Sequence, residues 1–100
     1  MSKIIFQISY EIKNEKRDEY LETIKELQSN LKNNYHKNYS VFEDNNKKNN
    51  FSEIYVCENE EEYENLENET DDVTFNLTNK IFSEFITDKK PNYLTLHEID

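Results

Sequence analysis

The stretch from Lys3 to Lys13, KIIFQISYEIK, constrains the fold more than any other part of the chain. Ile4, Phe6, Ile8, Tyr10 and Ile12 alternate with Ile5, Gln7, Ser9 and Glu11. Side chains along a strand point alternately to its two faces, so this spacing predicts a strand with one strongly apolar face and one mixed face. Such a long, apolar strand, opening a small chain, belongs in the middle of a sheet. The remaining segments have to cover it.

The material for that cover is lean. Of 100 residues, 34% are hydrophobic, and the mean hydropathy is -1.09. Thirteen aromatic side chains and clear periodicities nevertheless argue for a folded chain. One domain over residues 1–100 is expected, and a domain of this size gains from dimerising. No glycine is present, so turns that need a positive φ fall to asparagine, which occurs 15 times.

Charge excludes some partners. Residues 1–50 carry nine basic and eight acidic side chains, whereas residues 51–100 carry three and fourteen, for a total of -10. Nucleic acid and anionic membrane both require a basic face, so neither is an expected partner. No segment approaches the ~20 apolar residues of a membrane span. The first residues run into a strand without the pattern of a signal peptide. A single cysteine, Cys57, makes no internal disulfide, so the expected location is cytoplasmic.

Asn14 is the expected N-cap of an amphipathic helix over residues 15–32, whose apolar face is Tyr20, Leu21, Ile24, Leu27 and Leu31. A strand from Tyr39 to Asp44 follows, with Val41 and Phe42 on opposite faces. The polar run at 45–50 reads as a hairpin loop, and FSEIYVCEN as a third strand. Asn59 and Glu62 have the spacing of a capping box, opening a short acidic helix anchored by Tyr63 and Leu66. Asp71 or Asp72 starts another helix with the stripe Val73, Leu77, Ile81, Phe82, Phe85 and Ile86. Pro91 lies beyond its end, and NYLTLHEID alternates as a last strand.

The order β-α-β-β-α-β, with the second helical region split, predicts a ferredoxin-like α+β fold. Both helical regions are expected to cover one face of a four-stranded antiparallel sheet. Pattern alone places Ile4, Phe6, Ile8, Tyr10, Ile54, Val56, Leu94 and Leu96 under the helices. The open face then carries Ile5, Gln7, Ser9, Glu11, Phe42, Glu53, Tyr55, Cys57, Tyr93, Thr95 and His97. That face is too aromatic to sit bare in water.

FSEIYVCENEEEYENLENET, the stripe from Val73 to Ile86 and the closing NYLTLHEI resemble the dimeric α+β barrel proteins, and among them the antibiotic-biosynthesis-monooxygenase-like group. The resemblance covers nearly the whole chain and lies in element order and a loose consensus. It implies a homodimer through the open sheet faces, with a pocket for an apolar or aromatic small molecule. It also implies cofactor-independent, monooxygenase-like chemistry. Members that degrade haem use a histidine on the second helix, and Val73 to Ile86 contains none, so no cofactor is expected. Gln7 stands near the first-strand amide position of the group.

Two function classes remain open, a small cofactor-free enzyme and a non-catalytic dimerisation or binding module. Pairing Ile8 with Leu96 sets His97 opposite Gln7, and a parallel third strand brings Glu53 beside Gln7. A Glu–Gln–His row of this kind would orient a ligand or let His97 serve as general base, with Glu53 as its carboxylate. The alternative is a half-exposed histidine in a dimer seam. Ser9, Phe42, Tyr55, Tyr93 and Thr95 share that face and would line a ligand pocket or pack the interface. Cys57, beside acidic residues, reads as a small buried hydrophobe and not as a reactive thiol. Residues 58–72 hold nine carboxylates without the glycine of a calcium loop, and read as a solvated helix face; no metal site is expected.

Overall fold

The alternating stretch forms β1 (Ile4–Glu11), an inner strand of a four-stranded antiparallel sheet ordered β2-β3-β1-β4. This is a computed structural model, and it describes residues 2–68 and 71–99. β2 is Tyr39–Glu43, β3 Asn50–Cys57 and β4 Asn92–His97. Three helices, α1 (Arg17–Ser29), α2 (Glu60–Asn68) and α3 (Asp72–Lys80), complete the ferredoxin-like order. α1 and α3 each run on into a wider π-helical turn, Asn30–Asn34 and Ile81–Phe85, which buries Leu31 in one case and Ile81 and Phe85 in the other. No helix among the described residues is long and apolar enough to cross a membrane.

The core lies between the helices and one sheet face. Tyr10 and Ile12 meet Tyr20, Ile24, Leu27 and Leu31 of the first helical region, Tyr39 and Phe51 of the hairpin, and Ile81 and Phe85. The amphipathic reading of residues 20–31 therefore holds. At the head of α3 the buried residue is Thr74, and Val73 is exposed. Thr74 Oγ1 accepts from Asn30 Nδ2 at 2.8 Å, which ties α3 to the end of the first helix.

The starts of α2 and α3 are capped by Asn59 and Asp71, the residues the spacing marks, but the return bond of Glu62 goes to the residue before the cap. Asn59 Oδ1 accepts from the Glu62 amide at 2.9 Å, and Glu62 reaches back to the Glu58 amide at 3.3 Å. Asp71 Oδ1 accepts from the Thr74 amide at 3.0 Å. Asn14 is different. The chain enters α1 through a 3-10 turn over Asn14–Lys16, and Asn14 Oδ1 instead accepts from Asn49 Nδ2 at 3.0 Å.

The expected sheet faces are corrected by the register. β3 runs antiparallel to β1, since β2 returns parallel to β1 after the helix and the hairpin then reverses the chain. Ile8 lies opposite Glu53 and Tyr93, and Ile4 opposite Cys57 and His97. Relative to Ile8–Leu96, the β1–β4 pairing is offset by three positions, and any odd offset exchanges the two faces of a strand. Ile54, Val56, Leu94 and Leu96 therefore lie away from the helices. Glu53, Tyr55, Cys57, Tyr93, Thr95 and His97 lie on the helix side. Ile5, Gln7, Ser9, Glu11 and Phe42 occupy the open face as expected.

Asn49 and His36 are the described positions with positive φ, at 69° and 52°. Asn49 closes the β2–β3 hairpin within a latch to α1. Arg17 donates two hydrogen bonds to Glu43, at 2.6 and 2.8 Å, and a third to Asn49 Oδ1 at 2.9 Å. The guanidinium also sits 5.6 Å from the centre of the Phe51 ring. Arg17, and after it the Asn49 amide, hold the Glu43 carboxyl down at about 2. A depressed carboxyl stabilises the fold above its unfolded-state pKa and loses that contribution as pH falls through the folded-state one. Arg17→Met should therefore cost about 1 kcal/mol near neutrality, the upper end for a partly exposed pair. In urea unfolding, the gap between wild type and variant should close as pH falls from about 5 toward 2.

Candidate functional site

β4 lies at the sheet edge, and α2 reaches its helix-side face through Tyr63. Phe6 on β1 is the centre of an aromatic group there. Its ring is stacked 6.3 Å from Tyr93 of β4, edge-on at 6.1 Å to Tyr63 of α2, and 6.3 Å from Tyr55 of β3. Tyr63 reaches across to β4, with its hydroxyl 3.1 Å from Thr95 Oγ1. A cleft of about 290 Å³ opens beside these rings, lined by Phe6, Tyr63, Glu64 and Leu66. Apolar walls with one or two polar groups at the rim suit a small flat ligand.

One cross-strand row from Phe6, opposite Ile8, lies a buried carboxylate. Glu53 is 3% exposed. Its Oε1 accepts from the Tyr39 hydroxyl at 2.6 Å, and its Oε2 from the Tyr10 hydroxyl at 2.7 Å. The Tyr20 hydroxyl lies 2.8 Å from that of Tyr10. Tyr39 in turn packs on Tyr55, ring centres 4.7 Å apart, which connects this network to the aromatic group around Phe6. Burial raises the Glu53 carboxyl above its ordinary range, and the two phenol bonds oppose that only in part. Burial and the adjacent carboxylate push the Tyr10 and Tyr39 phenols far up, so both are neutral donors.

The expected site residues divide between the two faces. Gln7, Ser9 and Phe42 lie on the open face, where Ser9 and Ser52 hydroxyls are 2.8 Å apart and Gln7 Nε2 donates to Ser9 Oγ at 3.1 Å. Glu53, Tyr55, Tyr93, Thr95 and His97 lie on the helix face. The Glu–Gln–His row does not form. Glu53 pairs across β1 with Ile8 and His97 with Ile4, so the row through Phe6 and Thr95 separates them. His97 is exposed and borders a shallow depression with Asn59 and Glu60. Tyr55, Tyr93 and Thr95 do converge, around Phe6. Leu66 and Tyr63 on the cleft wall were legible only as anchors of an acidic helix. Cys57 is buried, and burial, followed by Glu62, raises its thiol.

No family model and no curated protein matches the chain. Solved structures with the same fold do. A conserved protein of Methanosarcina mazei superposes with a TM-score of 0.82 at 14% identity, over 99% of this chain and 95% of its own. A Caulobacter crescentus protein provisionally named an antibiotic biosynthesis monooxygenase gives 0.79 at 10% identity, over 99% and 92%. Another antibiotic biosynthesis monooxygenase gives 0.76 at 19% identity, over the full length of both chains. The likeness is one of fold, and it agrees with the resemblance carried by the sequence.

Glu53 makes the folded protein pH-sensitive. A carboxyl raised in the folded state holds its proton more tightly there than in the unfolded chain. The Glu53 contribution to stability is then fully present below the unfolded pKa of about 4.5 and is lost as pH rises through the folded-state value. Glu53→Gln should remove that decline, read as denaturation midpoints across the pH range. Glu53→Ala, which leaves buried phenols without their acceptor, should cost about 3 kcal/mol.

Proposed function

We propose that the protein is a homodimer through the open sheet face, and that each subunit holds an apolar or aromatic small molecule in the cleft beside Phe6. The observation that carries this reading is the aromatic group of Tyr55, Tyr63 and Tyr93 around Phe6, of which Phe6 and Tyr63 line a cleft of about 290 Å³. Packing of a flat ligand against these rings supplies the binding energy, at about 0.5–1.5 kcal/mol for each well-placed aromatic pair. The fold neighbours named as monooxygenases suggest the chemistry, oxygenation of such a molecule without a cofactor.

The dimer reading rests on the open face. Leu94 and Leu96 are 48% and 46% exposed, and Phe42 is 56% exposed. With half-buried Ile5, Ile54 and Val56 alongside, Leu94 and Leu96 make the contiguous apolar surface that a second copy would cover, and Phe42 stands apart in the Ser52 row.

One observation favours a binding module over an enzyme. Both oxygens of Glu53 are engaged by Tyr10 and Tyr39, and Glu53 does not line the Phe6 cleft, whose lining carboxylate is Glu64. The two readings separate on a single substrate. 1-Naphthol should bind wild type saturably, and Phe6→Ala should weaken it about 3- to 10-fold. If the protein is an enzyme, aerobic incubation should also consume one dioxygen per naphthol and yield 1,4-naphthoquinone, with one oxygen gained, two hydrogens lost and the second oxygen leaving as water. Binding without turnover would leave the module. For the dimer, native mass spectrometry should show two subunits in wild type and one in the Leu94→Lys, Leu96→Lys double variant, with naphthol binding retained. A monomeric wild type at micromolar concentration would end the dimer reading.

A further inference from the structure

The open face changes character along the strands. Its cross-strand rows run from Leu96–Ile5–Val56, through Leu94–Gln7–Ile54–Ser40, to Asn92–Ser9–Ser52, which ends on Phe42 at the β2 edge, and Glu11–Asn50. Only the first two rows present a mainly apolar surface. At the polar end the β2–β3 loop rises on one side and the segment before β4 on the other, and a groove of about 310 Å³ lies between them.

The walls of this groove gather cations in a chain that has few. Lys47 comes from the hairpin loop, and Lys89 and Lys90 from the segment before β4. Glu11 and Asp44 are the lining carboxylates, so three lysines less two carboxylates leave +1, against -10 for the whole chain. Lys89 is 3.5 Å from Glu11, while Lys47 and Lys90 make no ion pair among the described residues.

The floor is a hydroxyl and amide cluster with unspent capacity. Gln7 Nε2 donates to Ser9 Oγ at 3.1 Å and lies 3.4 Å from Ser52 Oγ. The two hydroxyls are 2.8 Å apart, so one of them donates to the other. One serine hydrogen and the Gln7 carbonyl oxygen have no partner among the described residues. An oxyanion would accept from that hydroxyl and from the lysines. A neighbouring hydroxyl of the same molecule would donate to Gln7 Oε1, and Asn50 and Asn92 add amides of both polarities at the rim.

We infer that this groove binds a small polyhydroxylated anion, a sugar acid or a sugar phosphate, at a site on the opposite sheet face from the aromatic cleft. The inference does not depend on the Phe6 cleft holding a ligand. It is also compatible with a dimer, because the apolar rows that a second copy would cover lie at the other end of the strands.

The test is titration of the ¹⁵N-labelled full chain with gluconate, glucose 6-phosphate and, as the neutral control, glucose. Saturable amide shifts confined to residues around Ser9, Asn50, Ser52 and Lys89–Lys90 are expected with at least one anion, at least tenfold tighter than with glucose. Gluconate alone would assign a carboxylate head, glucose 6-phosphate alone a phosphate head, and both a general oxyanion site. Raising salt to about 0.15 M should weaken the anions severalfold and leave glucose unchanged. The triple variant Lys47→Gln, Lys89→Gln, Lys90→Gln changes exposed side chains only. It should weaken the anion at least tenfold while thermal midpoint and naphthol binding stay as in wild type. Ser52→Ala should weaken the anion about threefold, the scale of one neutral hydrogen bond. The inference is overturned by equal binding of glucose and the anions, by anion affinity unchanged in the triple variant, or by no saturable shift up to about 10 mM, the millimolar range of weak binding.

Discussion

Glu53 is the constraint on which the arrangement of the rest depends. A carboxylate taken out of water costs several kcal/mol unless its oxygens are met by donors. Here the donors come from two other strands, Tyr10 of β1 and Tyr39 of β2, with Tyr20 of α1 behind Tyr10. That requirement selects one face of β3 for the interior, fixes which side chains of its neighbours point the same way, and places α1 over them. An aliphatic residue at position 53 would make no such demand, and the hydroxyls of Tyr10 and Tyr39 would then need another acceptor.

This also accounts for what the sequence hides. Element order, the central place of β1, the helix anchors and the Asn59–Glu62 cap could all be read, because each follows from local spacing. The faces of β3 and β4 could not. In SEIYVC, glutamate reads as a solvent residue and Ile54 and Val56 as core, whereas the reverse holds once phenols satisfy the carboxylate. In NYLTLH the aliphatic leucines look buried and Tyr93, Thr95 and His97 do not. Orientation there is dictated by pairing with β1, a long-range property with no local signature. The candidate site suffered accordingly. Its members Tyr55, Tyr93 and Thr95 were recognisable, but the ring they gather around is Phe6, which periodicity alone marks as ordinary core.

With its faces assigned, the sheet separates two kinds of surface. Aromatic rings and a buried acid face the helices, while aliphatic rows grade into hydroxyl, amide and ammonium groups on the other side. Both surfaces draw on the same inner strand, Phe6 facing one way and Gln7 the other. The latch of Arg17 on Glu43 and Asn49 holds the hairpin that supplies β3 to both, so its effect on either surface is through strand placement.

The hydroxyl network around Glu53 has a proton inventory with one consequence for its chemistry. Three contacts join Tyr20 to Tyr10, Tyr10 to Glu53 and Glu53 to Tyr39, and each contact accommodates one hydrogen. With the carboxylate ionised, three phenolic hydrogens fill three contacts. A proton arriving at Glu53 makes a fourth. Each carboxyl oxygen keeps a second lone pair beside the one its phenol occupies, so the arriving proton either lies there, pointing away from the three contacts, or takes over a contact and turns that branch's phenolic hydrogen outward. Uptake at Glu53 therefore always leaves one hydrogen of the network outside its three contacts.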